Sequence, residues 1–326
     1  MKTFLKVAGI SALAVVALAA IGVSWLALRK PAQRPATALK VAPDPQRIAR
    51  GRYLVHHVTI CFDCHSERTY AYGLPFVEGK EGVGGFVWDQ RIGFPGVLAA
   101  SNLTPDPETG LGKWTDGEIL RAMREGVDRE GNALFPIMPY GHFRAMSDDD
   151  ATAIIAYLRT LKPQRYEEPE KSLDVPLNFI EKFIPEPVAA PVPPPDRSNS
   201  VAYGKYLATI ASCAECHTPK DEQGTPLPGQ EFAGGWEMHT PQFRVVTANI
   251  TPHPSTWMGK ATKEEFIGRF KAFASYKPQP AQPGRNTLMP WITYSGMSDE
   301  DLGAIYDYLK TVPQSGKRVE VFPDAR

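Results

Sequence analysis

Cys61-Phe62-Asp63-Cys64-His65 and Cys213-Ala214-Glu215-Cys216-His217 decide how this chain is read, and between them they hold all four of its cysteines. In Cys-x-x-Cys-His the two thiols stand about one helical turn apart. The imidazole beside them can then bind the iron of a porphyrin tethered through both sulfurs, which is the attachment pattern of haem c. A redox dithiol, a zinc knuckle and plain structural disulfides are the rival readings. With 7 histidines in 326 residues, a histidine after both pairs by chance is a roughly one-in-two-thousand event. No βαβ pattern supports a thioredoxin-like unit. The motifs therefore predict two covalently bound haem c groups, with Cys61, Cys64, Cys213 and Cys216 as thioether residues and His65 and His217 as proximal iron ligands.

Working outward from these motifs, the chain repeats itself. Gly51-Arg52-Tyr53-Leu54 matches Gly204-Lys205-Tyr206-Leu207 upstream of the cysteines, and Gly84-Gly85 matches Gly234-Gly235 downstream. Asn102-Leu103-Thr104-Pro105 then matches Asn249-Ile250-Thr251-Pro252. Met138-Pro139-Tyr140 and Met146-Ser147-Asp148 match Met289-Pro290-Trp291 and Met297-Ser298-Asp299. An offset that stays near 150 residues implies a tandem duplication with small loop changes and two similar domains. The expected boundaries are 45–162 and 198–313, joined by a proline-rich connector over 163–197 and followed by a tail over 314–326. Ser147 and Ser298 are expected to cap helices with apolar stripes, and Thr115-to-Glu118 and Thr262-to-Glu265 have capping-box spacing. The loops between these helices are long, as in domains that wrap a bound group.

A sixth iron ligand separates an electron carrier from a reactive haem. Each repeat offers two methionines. Met138 and Met289 precede a proline in a turn-rich loop and are assigned as distal ligands. Met146 and Met297, just before the helix caps, read as packing residues and stand as the alternatives. His142 has Thr293 as its counterpart and is read as a surface or hydrogen-bonding residue. His56 and His57 lie on the helix leading to the first cysteine and are badly placed to reach the far side of a ring. The Gly82–Gly85 run lacks dinucleotide-loop spacing and reads as a turn, and the two Asn-x-Thr sequons read as a shared structural turn.

At the N-terminus an uncharged run from Val7 to Leu28 lies between Lys6 and Arg29. At about 1.5 Å per residue it spans roughly 33 Å, enough to cross a hydrocarbon core of about 30 Å. Residues 1–30 are read as a retained transmembrane anchor, with a signal cleaved after Ala17-Leu18-Ala19 as the alternative. The prolines of 31–44 are expected to hold the first domain clear of the bilayer. Lys plus Arg and Asp plus Glu number 36 each, so no basic excess is present and nucleic acid is not an expected partner.

These motifs together resemble a tandem dihaem class I cytochrome c. They are similar to the cytochrome c subunits of bacterial membrane-bound alcohol, aldehyde and gluconate dehydrogenases, which usually carry three Cys-x-x-Cys-His motifs where this chain carries two. The resemblance implies a mainly α fold, two tandem class I cytochrome c domains after an N-terminal transmembrane helix, located at the bacterial inner membrane with the haem domains facing the periplasm. It also implies one-electron transfer without catalysis, between a donor such as a membrane-associated dehydrogenase or a quinol-linked donor and an acceptor such as quinone or a terminal oxidase. Permanent membership of an oxidase complex fits equally well. A dihaem peroxidase-like enzyme with one open haem is the alternative function.

Overall fold

The computed structural model describes residues 1–222, 224–240 and 242–325. Helix α1 spans Lys2–Leu28 and precedes the first repeat. Its Lys6–Leu28 stretch has a mean hydropathy of 2.3, packs against no core, and is long and apolar enough to cross a membrane. The proline-rich segment after it does not stand off as a free spacer. Lys30 Nζ donates to Asn132 Oδ1 at 2.5 Å, Gln33 Nε2 to Gly131 O at 3.1 Å, and the Val41 amide to Asp116 Oδ2 at 2.8 Å. Arg34 pairs with the buried Glu125 at 2.7 Å. Proline content foretold stiffness, but the polar side chains between the prolines find partners on the first repeat and strap the segment to it.

Helix α2 (Pro45–Tyr53) starts with Asp44 as N-cap and a proline in the first turn, a standard helix opening. It continues into a π-helical turn over Leu54–Val58, and Ile60 in the left-handed region redirects the chain into α3 (Cys61–Cys64). Two short strands follow, β1 (Val87–Trp88) and β2 (Gly96–Ala99). Then come α4 (Asp116–Glu125) with its complete Thr115/Glu118 capping box, α5 (Tyr140–Phe143), and α6 (Asp148–Leu158) capped by Ser147. The connector folds back over this half. Its strand β3 (Ser172–Leu173) pairs antiparallel with β2, and α7 (Leu177–Ile180) follows.

The second half repeats the order: α8 (Ser200–Ile210), α9 (Cys213–His217), β4 (Glu237–His239) and β5 (Arg244–Val246), then α10 (Trp257–Lys260), α11 (Lys263–Lys271), α12 (Trp291–Tyr294) and α13 (Asp299–Leu309). The Thr262/Glu265 capping box and the Ser298 cap form as the sequence predicts. The short ribbons β1–β2–β3 and β4–β5 were not foreseen, because two- and three-residue strands carry no readable alternation.

In each half the first long helix crosses the last, and a glycine makes the crossing possible. A Cβ on Gly51 would lie 1.8 Å from Ala153 O, and one on Gly204 would lie 1.8 Å from Ala304 O. The tyrosine two residues later crosses to the other half. Tyr53 Oη donates to Asp301 Oδ2 at 2.6 Å and accepts from the Ser298 amide at 3.0 Å. Tyr206 Oη donates to Asp150 Oδ2 at 2.6 Å and accepts from the Ser147 amide at 3.3 Å. Each repeat thus helps to cap the terminal helix of the other, and the buried apolar residues of both, from Leu54 and Ile155 to Leu207 and Leu302, form one continuous cluster.

Candidate haem sites

Helices α3 and α9 present Cys61, Cys64, His65, Cys213, Cys216 and His217 to a single cavity of about 1910 Å³, whose walls also include Met138 and Met289. A site for one small molecule usually measures about 300–1,000 Å³, so this space suits more than one large group. The lining between these residues is largely apolar, with Phe143, Ile154, Leu158, Tyr294, Ile305 and Leu309 among it.

The two histidines are held in the same way. His65 Nδ1 lies 2.7 Å from Ser101 O, and His217 Nδ1 lies 2.7 Å from Ala248 O. A carbonyl can only accept, so Nδ1 carries the proton. Burial lowers both imidazole pKa values and keeps the rings neutral. Nε2 is left with a free lone pair, the arrangement that orients a metal-binding histidine and raises its basicity. The backbone is fixed too: the Gly84 amide donates to His65 O at 2.8 Å and the Gly234 amide to His217 O at 2.7 Å. Gly84 and Gly234 both have positive φ, and a Cβ on either would press on a carbonyl oxygen, Ala100 O at 2.8 Å or Ala248 O at 2.5 Å. The Gly-Gly pair is therefore a turn, as its sequence suggested, and its close approach sets where the histidine stands.

The Asn-x-Thr-Pro element follows directly on the residue with the accepting carbonyl and fixes the backbone there. Asn102 Oδ1 accepts from the Thr104 amide and hydroxyl, while its Nδ2 donates to Thr109 Oγ1 and Gln164 O. Asn249 does the same with Thr251, and its Nδ2 donates to Ser315 O and Lys317 O. Both side-chain amides are consumed inside the fold, so the sequons are structural turns. The residue before each asparagine, Ser101 or Ala248, carries the carbonyl that holds the histidine. Sequence reasoning missed that role, although the repetition of the turn after each Cys-x-x-Cys-His was the signal.

Among the described residues no disulfide joins the four cysteines. Burial pushes them up, Cys61 and Cys216 to about 11 and Cys64 and Cys213 to about 12. Thiols so reluctant to ionise are not the low-pKa thiolates of a redox dithiol. Among the described residues no three His, Cys, Asp or Glu side chains converge as a set for a bound ion, which leaves the zinc-knuckle reading without donors. A large apolar space flanked by paired thiols and a neutral, oriented imidazole at two places does fit haem c.

The methionines divide unevenly. Met138 and Met289 line the cavity, and Tyr140 and Trp291 donate their amides to the preceding methionine carbonyls at 2.7 Å in matching turns. Met146 is wholly buried in the apolar core away from the cavity, whereas Met297, equally buried, also reaches its wall. The remaining histidines are occupied elsewhere. His56 Nε2 meets Tyr157 Oη at 2.6 Å, His57 Nδ1 meets Thr293 O at 3.1 Å, and His142 Nε2 donates to Glu215 Oε2 at 3.1 Å. This last contact has a mirror image, Thr293 Oγ1 donating to Asp63 Oδ2 at 2.7 Å. The acidic residue inside each Cys-x-x-Cys turn is thus held by the loop that follows the other repeat's methionine.

Comparison with known proteins agrees with this geometry. The cytochrome c family model matches residues 201–313. The chain is 30% identical over 231 residues to a "Diheme cytochrome c-type" protein of Cereibacter sphaeroides, covering 67% of this chain and 72% of that one. It is 28% identical over 289 residues to the cytochrome c subunit of a quinone alcohol dehydrogenase from Gluconobacter oxydans (83% of this chain, 55% of that one). It is 30% identical over 289 residues to the gluconate 2-dehydrogenase cytochrome c subunit of Pantoea cypripedii (84% and 62%). The chain thus spans about half the length of the alcohol dehydrogenase subunit it matches. With two Cys-x-x-Cys-His turns on one cavity and a dihaem relative matched over most of its length, the chain belongs to the cytochrome c family.

Proposed function

We infer that this chain is a membrane-anchored dihaem electron carrier and acts as the cytochrome component beside a dehydrogenase. Its haem-binding units are residues 45–162 and 198–313, and α1 holds both on the periplasmic side of the bacterial inner membrane. Cys61 and Cys64 hold one haem, Cys213 and Cys216 the other. His65 with Met138, and His217 with Met289, bind the two irons. The bound haems supply a one-electron ferric/ferrous couple. The chain's own residues keep the rings rigid, exclude water with an apolar wall, and orient the imidazoles through Ser101 O and Ala248 O, which favours electron transfer over substrate chemistry.

The observation that carries this reading is the shared cavity. Both cysteine pairs, both carbonyl-held histidines and both pre-proline methionines face one apolar space, so two groups there would lie close enough to exchange electrons within the chain. The relatives named above include cytochrome subunits of alcohol and gluconate dehydrogenases. They support a dehydrogenase as donor and give no support to a peroxidase-like enzyme; the acceptor in this reading, quinone or a terminal oxidase, rests on the one-electron chemistry of haem c alone.

Optical spectra of the oxidised and reduced protein at known haem stoichiometry, with and without carbon monoxide, test the assignment. Two haems per chain and no carbon monoxide shift are expected. A shift at one haem would overturn the methionine assigned there and reopen the enzymatic alternative.

A further inference from the structure

We propose that the connector segment 175–184 is a second membrane contact, an interfacial patch that lies in the headgroup region of the phospholipid bilayer beside the exit of α1. The proposal rests on the reading of α1 as a retained anchor. Outside α1, Tyr70, Val201 and Trp257 are exposed singly, whereas Val175, Ile180, Phe183 and Ile184 are 73%, 48%, 50% and 39% exposed within one short stretch. An apolar cluster of this kind on a soluble surface calls for a covering partner.

The position of the cluster identifies the partner. Lys182 Nζ donates to Leu26 O at 3.2 Å and Ala27 O at 2.7 Å, capping the C-terminal carbonyls of α1. The Phe183 ring packs against Trp25 with centroids 6.4 Å apart, and the Arg29 guanidinium lies over both rings, at 4.3 Å and 5.0 Å. Trp25 and Arg29 end the apolar span, where aromatic and basic side chains mark the boundary between acyl chains and water. Phe183 therefore sits at the depth where α1 leaves the bilayer, and Val175, Ile180 and Ile184 are exposed within eight residues of it in the chain. The stretch is tied to the protein within and just beyond it: Glu181 is buried against Lys171 at 2.6 Å, and Arg144 donates to the backbone carbonyl of Glu186 at 2.9 Å. The segment thus leaves four apolar side chains free while its acid is fixed to the protein, as in an interfacial element that buries its apolar side some 5–10 Å into the headgroup boundary. Two contacts, one spanning and one lying flat, would fix the tilt of both haem units against the membrane.

The test uses the full haem-loaded chain in phospholipid nanodiscs whose lipids carry a photoreactive diazirine on the upper acyl chain, with cross-linked peptides mapped by mass spectrometry. Adducts are expected on α1 and on residues 175–184. In the variant Val175→Ser/Ile180→Ser/Phe183→Ser/Ile184→Ser, adducts on 175–184 should fall about tenfold, while haem content and α1 adducts stay unchanged. Labelling of α1 with none on 175–184 in the wild-type chain would overturn the proposal and leave the anchor standing, pointing to a protein partner for the patch. Absence of label from both segments would overturn the anchor reading and this one with it.

Discussion

Residues 63 and 215 occupy the same place in the two Cys-x-x-Cys turns, yet their surroundings push them in opposite directions. Burial raises the Asp63 carboxyl above its usual range despite Arg68 and the Thr293 hydroxyl. Glu215 is held down at about 2 by the His142 imidazole and then by Lys220. The geometry is common to both repeats, an acid reaching across to the short helix after the other repeat's methionine, but the partner differs, Thr293 against His142, and so does burial, the Asp63 side chain being 6% exposed and that of Glu215 42%. Duplication kept the positions that fix the haem sites and let the side chains that bridge the halves diverge. The largest expected effect tests whether the two sites are equivalent. Cys61→Ala/Cys64→Ala and Cys213→Ala/Cys216→Ala should each lower covalent haem from two per chain to one, read by intact mass and haem stoichiometry. Retention of two haems by either variant would break the assignment of its motif.

The helix crossings should be alike where the bridging acids are not. Gly51→Ala and Gly204→Ala each place a methyl 1.8 Å from a backbone carbonyl oxygen, so each crossing must open, at a cost of about 3 kcal/mol. Denaturant unfolding followed by haem absorbance should give the same loss for both, and a much smaller loss in one half would show that its crossing is the looser.

The tyrosine bridges should be unequal. Tyr53→Phe takes a hydroxyl from Asp301, a buried carboxylate with no salt bridge among the described residues. Tyr206→Phe takes one from Asp150, which keeps Arg50 on both oxygens at 2.8 Å. The first loss should be about 2 kcal/mol and the second about 1 kcal/mol by the same unfolding measurement. Equal losses would mean that Arg50 does not compensate Asp150.

Much of this was legible from spacing alone. The caps at Ser147 and Ser298, both capping boxes, and the turn character of Gly84-Gly85 and of Asn-x-Thr-Pro follow from local rules that the structure obeys. What escaped was non-local. One more residue separates Gly51 from Cys61 than separates Gly204 from Cys213. The π turn at Leu54–Val58 absorbs it, so that the crossing and the cysteine turn both stay in place. Nothing in the hydrophobic pattern marks which residue is extra. Nothing local marks Tyr53 and Tyr206 as bridging residues, because a sequence does not show that the partner of a hydroxyl lies in the other repeat. Ser101 and Ala248 act through backbone carbonyls, which any side chain can accompany, so their identity carried no signal.

The π turn leads to the last predicted effect, one that vanishes at neutral pH, a difference in acid sensitivity between the halves. His56 lies in that turn, in contact with Phe62 and hydrogen-bonded to Tyr157, and burial, then the charges of His57 and Arg52, lower its pKa from 6.5 to about 4. Helix α8 has no histidine. Between pH 6.5 and 4 the unfolded chain takes up a proton at this residue that the folded chain refuses, so stability falls as pH drops through that window and is unaffected by His56 above it. His57 is lowered in the same direction by its own burial and adds to the slope. Melting temperatures taken at pH 7, 5.5 and 4.5 should therefore fall less steeply in His56→Gln than in the wild-type chain, because glutamine can still meet the Tyr157 hydroxyl but binds no proton. If the two slopes coincide, the acid sensitivity comes from groups common to both repeats, and the extra residue in the first has no titration consequence.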